Sequence, residues 1–247
     1  MAVSLGLFLI AALVGGRSAS ADPAPTPPPQ QKLSNTPGMS LAAVERSRGK
    51  EHGLNGVRYA FKTEGFPKDH LYALYGRWMN GKSAEVIKGA RIDETGLLSG
   101  ASGDEFILPV LETFMGESVT FALVSEDRAA TAFVEITPFP IQAEGKGGCR
   151  LFVRPMDPSG QIFMITGSGF KASQKLKTFS TSVNESMRGT IDGRPDGSVK
   201  EVILPAVVGN KGGAASFEAS DGDCTVRVDY RWGDQMMSWL PAPPASP

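Results

Sequence analysis

The chain has 247 residues, room for one large domain or two small ones. Its charge is balanced at −1, so no polybasic surface points to nucleic acid and no acidic excess points to a solvating tail. Two cysteines and two histidines exclude cysteine-rich zinc modules, iron–sulfur clusters and most three-histidine centres, so no metal and no cofactor are expected.

Leu5 to Val14 is a short apolar run that ends in Gly15-Gly16 and is followed by Ala19-Ser20-Ala21. This pattern reads as a secretory signal, residues 1–21, cleaved after Ala21. The run is shorter than the ~20 residues a bilayer-spanning helix needs, and no Lys or Arg precedes it. No second long apolar segment follows, so no membrane insertion is expected after cleavage. Residues 22–37 are rich in Pro and Gln around Pro27-Pro28-Pro29. They cannot build a core and read as a disordered spacer with extended polyproline character.

Met39 to Arg48 fits either a helix or an opening strand. Arg58 to Phe66, RYAFKTEGF, is a hydrophobic run broken by Gly65-Phe66. Leu71 to Met79, LYALYGRWM, is the most aromatic stretch. Alternation puts Leu71, Ala73 and Tyr75 on one side of a strand and Tyr72 and Leu74 on the other. Core packing accounts for this segment; the alternative is a binding patch of Tyr72, Tyr75 and Trp78 on which a sugar ring could stack. Turn pairs such as Asn80-Gly81 and Ser99-Gly100 follow. Glu105 to Pro109, EFILP, leads through Gly116 to the alternating Val119, Phe121 and Leu123. Ala130, Ala132, Val134 and Ile136 then alternate in a closing strand.

The same landmarks recur in the same order. Ile162 to Phe170, IFMITGSGF, breaks at Gly169-Phe170 as the earlier run breaks at Gly65-Phe66. Glu201 to Pro205, EVILP, matches Glu105 to Pro109. Gly212-Gly213 precedes Ala215, Phe217 and Ala219. Cys224, Val226, Val228 and Tyr230 alternate with polar Thr225, Arg227 and Asp229, the pattern of a strand with one buried face. Glu144 to Gly148 reads as an interdomain hinge. The tail, residues 234–247, is Pro-rich, but Met236, Met237, Trp239 and Leu240 are apolar and either fold back or stay exposed. A duplication of this kind fixes the architecture before any single strand does. Residues 38–140 and 141–233 are expected to form two tandem antiparallel β-sandwiches of immunoglobulin-like strand order, an all-β chain.

The order of strand, Gly-Phe, Asp/Gly turn, "ILP" strand, Gly turn and two closing strands resembles the IPT/TIG-like immunoglobulin modules found in tandem in bacterial secreted and envelope proteins. Ile165-Thr166-Gly167-Ser168-Gly169-Phe170 carries the resemblance best; the first copy departs from it at Lys62-Thr63-Glu64. The resemblance implies a sandwich fold and a secreted or periplasmic location. It says little of function, because such modules serve as spacers, adhesive units and enzyme appendages.

Cys149 opens the first strand of the second copy and Cys224 its last. In an exported protein one pair within one domain is most simply a disulfide, worth about 4 kcal/mol on the chain-entropy model; the alternative is two buried thiols. Cysteines that both start strands can meet only if the strands run side by side in the same direction. No histidine in the second copy could activate a catalytic cysteine. His52 falls in a charged loop, and His70 beside Asp69 reads as a surface turn. Asp192 and Asp196 bracket a turn, with Arg194 between them opposing a cation. No metal-binding HExxH, nucleophile elbow or phosphate loop occurs. The expectation is therefore a non-enzymatic binding, adhesion or spacer protein with a protein or glycan partner in the envelope. A carbohydrate-binding module using residues 71–79 is the alternative.

Overall fold

Residues 34–236 are described by a computed structural model. The expected signal peptide, the spacer up to residue 33 and the tail beyond Met236 lie outside the described residues. Alternation decides the strands. The first copy holds β1 (Ser40–Glu51), β2 (Leu54–Glu64), β3 (Tyr72–Arg77), β4 (Ser83–Ile92), β5 (Leu98–Ser99), β6 (Ile107–Leu111), β7 (Val119–Ser125) and β8 (Thr131–Ile136). The second holds β9 (Ile141–Glu144), β10 (Arg150–Pro155), β11 (Phe163–Ser168), β12 (Lys175–Ser182), β13 (Glu185–Asp192), β14 (Val199–Ile203), β15 (Gly212–Ser220) and β16 (Thr225–Gly233). Along β7, β10 and β16 buried residues alternate with exposed or half-exposed ones, as a sheet with one covered face requires.

The four sheets are antiparallel and form two β-sandwiches. The first sandwich pairs the sheet β1-β2-β6 with β5-β4-β3-β7-β8; the second pairs β9-β10-β11-β14 with β13-β12-β15-β16. The strand orders β1-β2-β6 and β10-β11-β14 correspond, as do β4-β3-β7-β8 and β13-β12-β15-β16. One core gathers Val57, Phe61, Tyr72, Leu74, Phe121 and Leu123; the other gathers Leu151, Ile165, Leu176, Val228, Tyr230 and Trp232. Edge-to-face rings 5.1 Å apart join Phe61 to Phe121 across the first core.

The Gly-Phe pair has a physical reason in both copies. Gly65 and Gly169 adopt positive φ, and each presses its backbone onto the carbonyl of another positive-φ glycine, Gly38 or Gly148. Phe66 and Phe170 then turn into their cores. Counted from this pair, Ala60 and Met164 are equivalent. Ala60 pairs with Ile107, whereas Met164 pairs with Val202. Ile107 therefore corresponds to Val202, one residue away from the Ile203 that the sequence match suggests.

Of the two readings of Met39 to Arg48, the opening strand holds: the segment runs into the long strand β1. One expectation is corrected. Glu144 to Gly148 is not a hinge between domains but the tight turn of the β9–β10 hairpin. Gly145 N–H donates to Cys149 O at 2.8 Å and Gly148 N–H to Gly145 O at 2.9 Å. The connection between sandwiches is Thr137–Pro140, between β8 and β9. The fold also runs past Gly233: Asp234 to Met236 form a turn, and Met236 is buried against the second core.

Candidate functional site: the junction between the sandwiches

Tyr72, Tyr75 and Trp78 do not share an exposed face. Tyr72 is fully buried in central strand β3, edge-to-face with Phe66 at 5.5 Å, and its hydroxyl donates to Pro67 O. Burial pushes its phenol up to about 12. Tyr75 lies on the opposite face of the strand, half-buried, with its hydroxyl 3.4 Å from Glu85. The Trp78 ring folds back over Gly76 toward the first core. The carbohydrate-binding alternative loses its stacking face.

His70 lies between two carboxylates, 3.0 Å from Asp69 and 3.5 Å from Asp127. Its hydrogen bond to Asp69 chiefly holds its pKa above the usual imidazole value. Ser125 donates to the same Asp127 at 2.5 Å, so the acid stands between serine and histidine. A nucleophile needs its base adjacent, and this order does not provide it. His52 occupies the β1–β2 hairpin turn at positive φ. Asp196 caps its own turn by accepting the Ser198 N–H at 2.9 Å. Among the described residues, no group of three or more His, Cys, Asp or Glu is placed to hold a metal ion.

Cys149 and Cys224 are bonded, with Cα atoms 6.1 Å apart. They immediately precede β10 and β16, which belong to opposite sheets. At the other end, where β16 finishes, Gly233 N–H donates at 2.9 Å to the carbonyl of Gly160, in the turn that follows β10. The two strands therefore run in the same direction, as expected, but face one another across the sandwich instead of pairing within a sheet. Gly145 and Gly147 pack on the sulfur atoms so closely that a Cβ at Gly145 would stand 3.0 Å from both. Bonds of this kind persist in oxidising compartments.

The two sandwiches meet by like ends. In the first, Thr36 and Thr131 bond backbone to backbone at the far end, where β1 and β8 begin. At the near end β8 finishes, and the chain passes into β9 opposite Val153, close to the end of β10. Strand β9 then runs the length of β10 before the disulfide end is reached. The end at which β16 finishes thus faces the end at which β8 finishes, and the second sandwich is reversed relative to a head-to-tail string.

Several groups clamp this meeting point. The Phe139 ring is buried in the first core, and its carbonyl accepts the Gly116 N–H at 2.7 Å. Arg48 donates to Pro138 O at 2.8 Å and lies over the Phe139 ring at 5.8 Å, while Glu45 holds its guanidinium at 2.8 and 3.0 Å. Thr137 and Ser118 share a hydroxyl hydrogen bond of 3.0 Å. Met79, Phe114 and Met115, all from the first copy, pack on the second core. Arg154 reaches Glu135 at 2.8 Å, an exposed pair worth little alone. Glu117 sits beside this apolar trio, 5 % exposed, accepting the Met79 N–H at 3.0 Å. Burial pushes its pKa up.

Two open clefts flank the junction. One, of about 360 Å³, is bordered by Glu135, Thr137, Phe152, Arg154, Met164 and Lys200. The other, of about 400 Å³, is bordered by Phe114, Pro158, Gln161, Asn210, Lys211 and Asp234. Neither is lined by histidine or cysteine. The sequence reading missed the junction. The flanking prolines of Pro138-Phe139-Pro140 were its available signal; Glu117 and Arg48 gave none, because their roles arise only from tertiary contacts.

No family model and no curated protein matches the chain. Among solved structures, a crystal structure of a tetra-tandem repeat in the extending region of a large adhesion protein aligns at 12 % identity and a TM-score of 0.27. The alignment covers 79 % of this chain and 48 % of that one, so the chain spans about half that length. Among the described residues no helix is long and apolar enough to cross a membrane.

Proposed function

We propose that the chain is a non-catalytic exported protein of the bacterial envelope, periplasmic or secreted, whose work is binding, adhesion or spacing. The resemblance to IPT/TIG-like modules and the cystine support that class and compartment. The observation that carries the reading is the clamped junction: Gly116, Arg48 and Phe139 give the two sandwiches one fixed outline instead of a hinged one. A fixed body suits holding a partner at a set distance. The partner is a protein or glycan of the envelope, met at the disulfide end of the second sandwich. There Lys146 and the ion pair of Lys171 with Asp223, 2.5 Å apart, stand exposed. With a net charge of −1 the chain has no general attraction for nucleic acid.

The test is titration of labelled protein onto isolated cell envelopes. Saturable binding is expected, competed by unlabelled protein and weakened several-fold in a Lys146→Glu, Lys171→Glu double variant. Unsaturable binding that ignores these changes, or turnover of an envelope polymer by the purified protein, sinks the reading.

A further inference from the structure

Strand β13 stands at the end of the sheet β13-β12-β15-β16 and, among the described residues, pairs with β12 alone. An open edge presents a row of N–H and C=O groups to any second chain, and proteins ordinarily blunt it. Other edges of this chain are blunted. The pairing of β4 shifts register twice, and β5 covers its end at Arg91 and Ile92. Strand β1 has a bulge between Glu45 and Ser47, and β6 carries Pro109. Strand β13 has none of these devices. Its 8 residues pair with β12 without a break, and all but Ile191 are exposed.

The turn Val183-Asn184 closes on the pair Ser182–Glu185. Glu185, Met187, Gly189 and Ile191 therefore direct their backbone groups to β12, and those of Ser186, Arg188, Thr190 and Asp192 point outward. The side chains divide the same way. Ile191 pairs with buried Leu176, and Met187 pairs with Ser180, itself opposite buried Phe217, so this set shares the covered face of the sheet. Arg188 lies on the other face, over the Phe179 ring at 5.0 Å. Met187 is nevertheless 69 % exposed. The edge overhangs the core, and an apolar side chain on the inward face is left in water.

We propose that β13 pairs antiparallel with β13 of a second copy of this chain, about a two-fold axis at Gly189. The outward groups then meet one another: Ser186 faces Asp192 of the copy, and Arg188 faces Thr190. Met187 covers Ile191 of the copy, twice by symmetry. Gly189 faces Gly189 at a position without hydrogen bonds, where Cα atoms come within about 4.5 Å. Arg188 stands diagonal to Asp192 of the copy, an opposite charge within reach, and no like charges face each other. Competing registers are worse. Glu185 set on Asp192 opposes acid to acid, and an axis at Arg188 opposes cation to cation. A two-fold contact occupies both edges and stops at the dimer.

Sedimentation velocity of the purified chain over a range of concentrations tests this, and a reversible monomer–dimer equilibrium is expected. Met187→Lys charges a side chain that is exposed in the single copy, and Thr190→Pro removes a donor that points to water. Each should weaken dimerisation by at least about tenfold and leave the melting of the dilute monomer unchanged. Both native cysteines are bonded to each other, so oxidation of a Gly189→Cys variant should link two copies through that position. Glu185→Cys, far from its counterpart in this register, should not link. A chain that stays monomeric at every concentration overturns the proposal. So does a dimer that both substitutions leave intact, which places the contact elsewhere. Linkage through Glu185→Cys in place of Gly189→Cys overturns it as well, and so does growth past the dimer, which requires a head-to-tail contact.

Discussion

Gly116 closes against Val153. A Cβ on Gly116 would stand 2.8 Å from the Val153 carbonyl oxygen, 3.0 Å from Pro155 and 3.1 Å from Ile141. Two of the three contacts are backbone or proline ring, so the second sandwich cannot yield locally to a side chain. With φ at +76°, the position also disfavours any L-residue. Gly116→Val should therefore cost about 1–3 kcal/mol and part the sandwiches. Thermal unfolding reads the first effect and small-angle scattering the second. An unchanged scattering profile with unchanged melting would mean that Gly116 does not hold the junction.

Glu117 gives the junction a pH signature. Desolvation raises its folded pKa above the unfolded value, near about 4.3. The folded state then holds the proton more tightly than the unfolded one, so this group's contribution to stability falls as pH rises through that window. Glu117→Gln keeps an oxygen for the Met79 N–H and removes the buried charge. It should stabilise by about 1–3 kcal/mol at neutral pH, with the difference fading in mild acid. Denaturant titrations at both pH values measure it; a loss of stability at pH 7 would contradict it.

Asp221 should behave in the opposite sense. It accepts the N–H groups of Cys224 and Lys171, both at 2.8 Å, and of Asp223 at 3.0 Å. These bonds, that from Cys224 foremost, hold its pKa below the usual carboxylate range. Its stabilisation is present above the unfolded value of about 3.9 and is lost as pH falls through the folded one. Asp221→Asn should cost about 1–3 kcal/mol at neutral pH and nothing once the native carboxyl is protonated. An equal cost at both ends of the titration would assign the loss to packing alone.

The cystine closes a separation of 75 residues. Its removal by Cys149→Ser with Cys224→Ser should lower stability by about 2–5 kcal/mol. Hydrogen exchange should locate the loss in β9, β10 and β16, leaving β7 protected. Uniform loss across both sandwiches would show that they unfold as one cooperative unit.

The fold was legible wherever one face of a strand is buried, as in Val119-Phe121-Leu123 and Val226-Val228-Tyr230. The Gly-Phe landmark was equally reliable, because steric contact with Gly38 or Gly148 forces it. The "ILP" match misled by one residue, since composition repeats there while the face does not: Leu108, not Ile107, shares the inward side with Ile203. Glu144 to Gly148 misled for a different reason. Glycine marks a turn in a hairpin as readily as between domains, and only the β9–β10 pairing separates the two. The Tyr72, Tyr75 and Trp78 patch failed because side chains two apart on a strand share a face while those three apart do not.

Strand β9 makes the polypeptide double back before the second sandwich is laid down. The Met236 turn, packed on Gly160, and the Cys149–Cys224 bond therefore stand at opposite ends of the second sandwich, and whatever approaches the cystine meets the end turned away from Gly116.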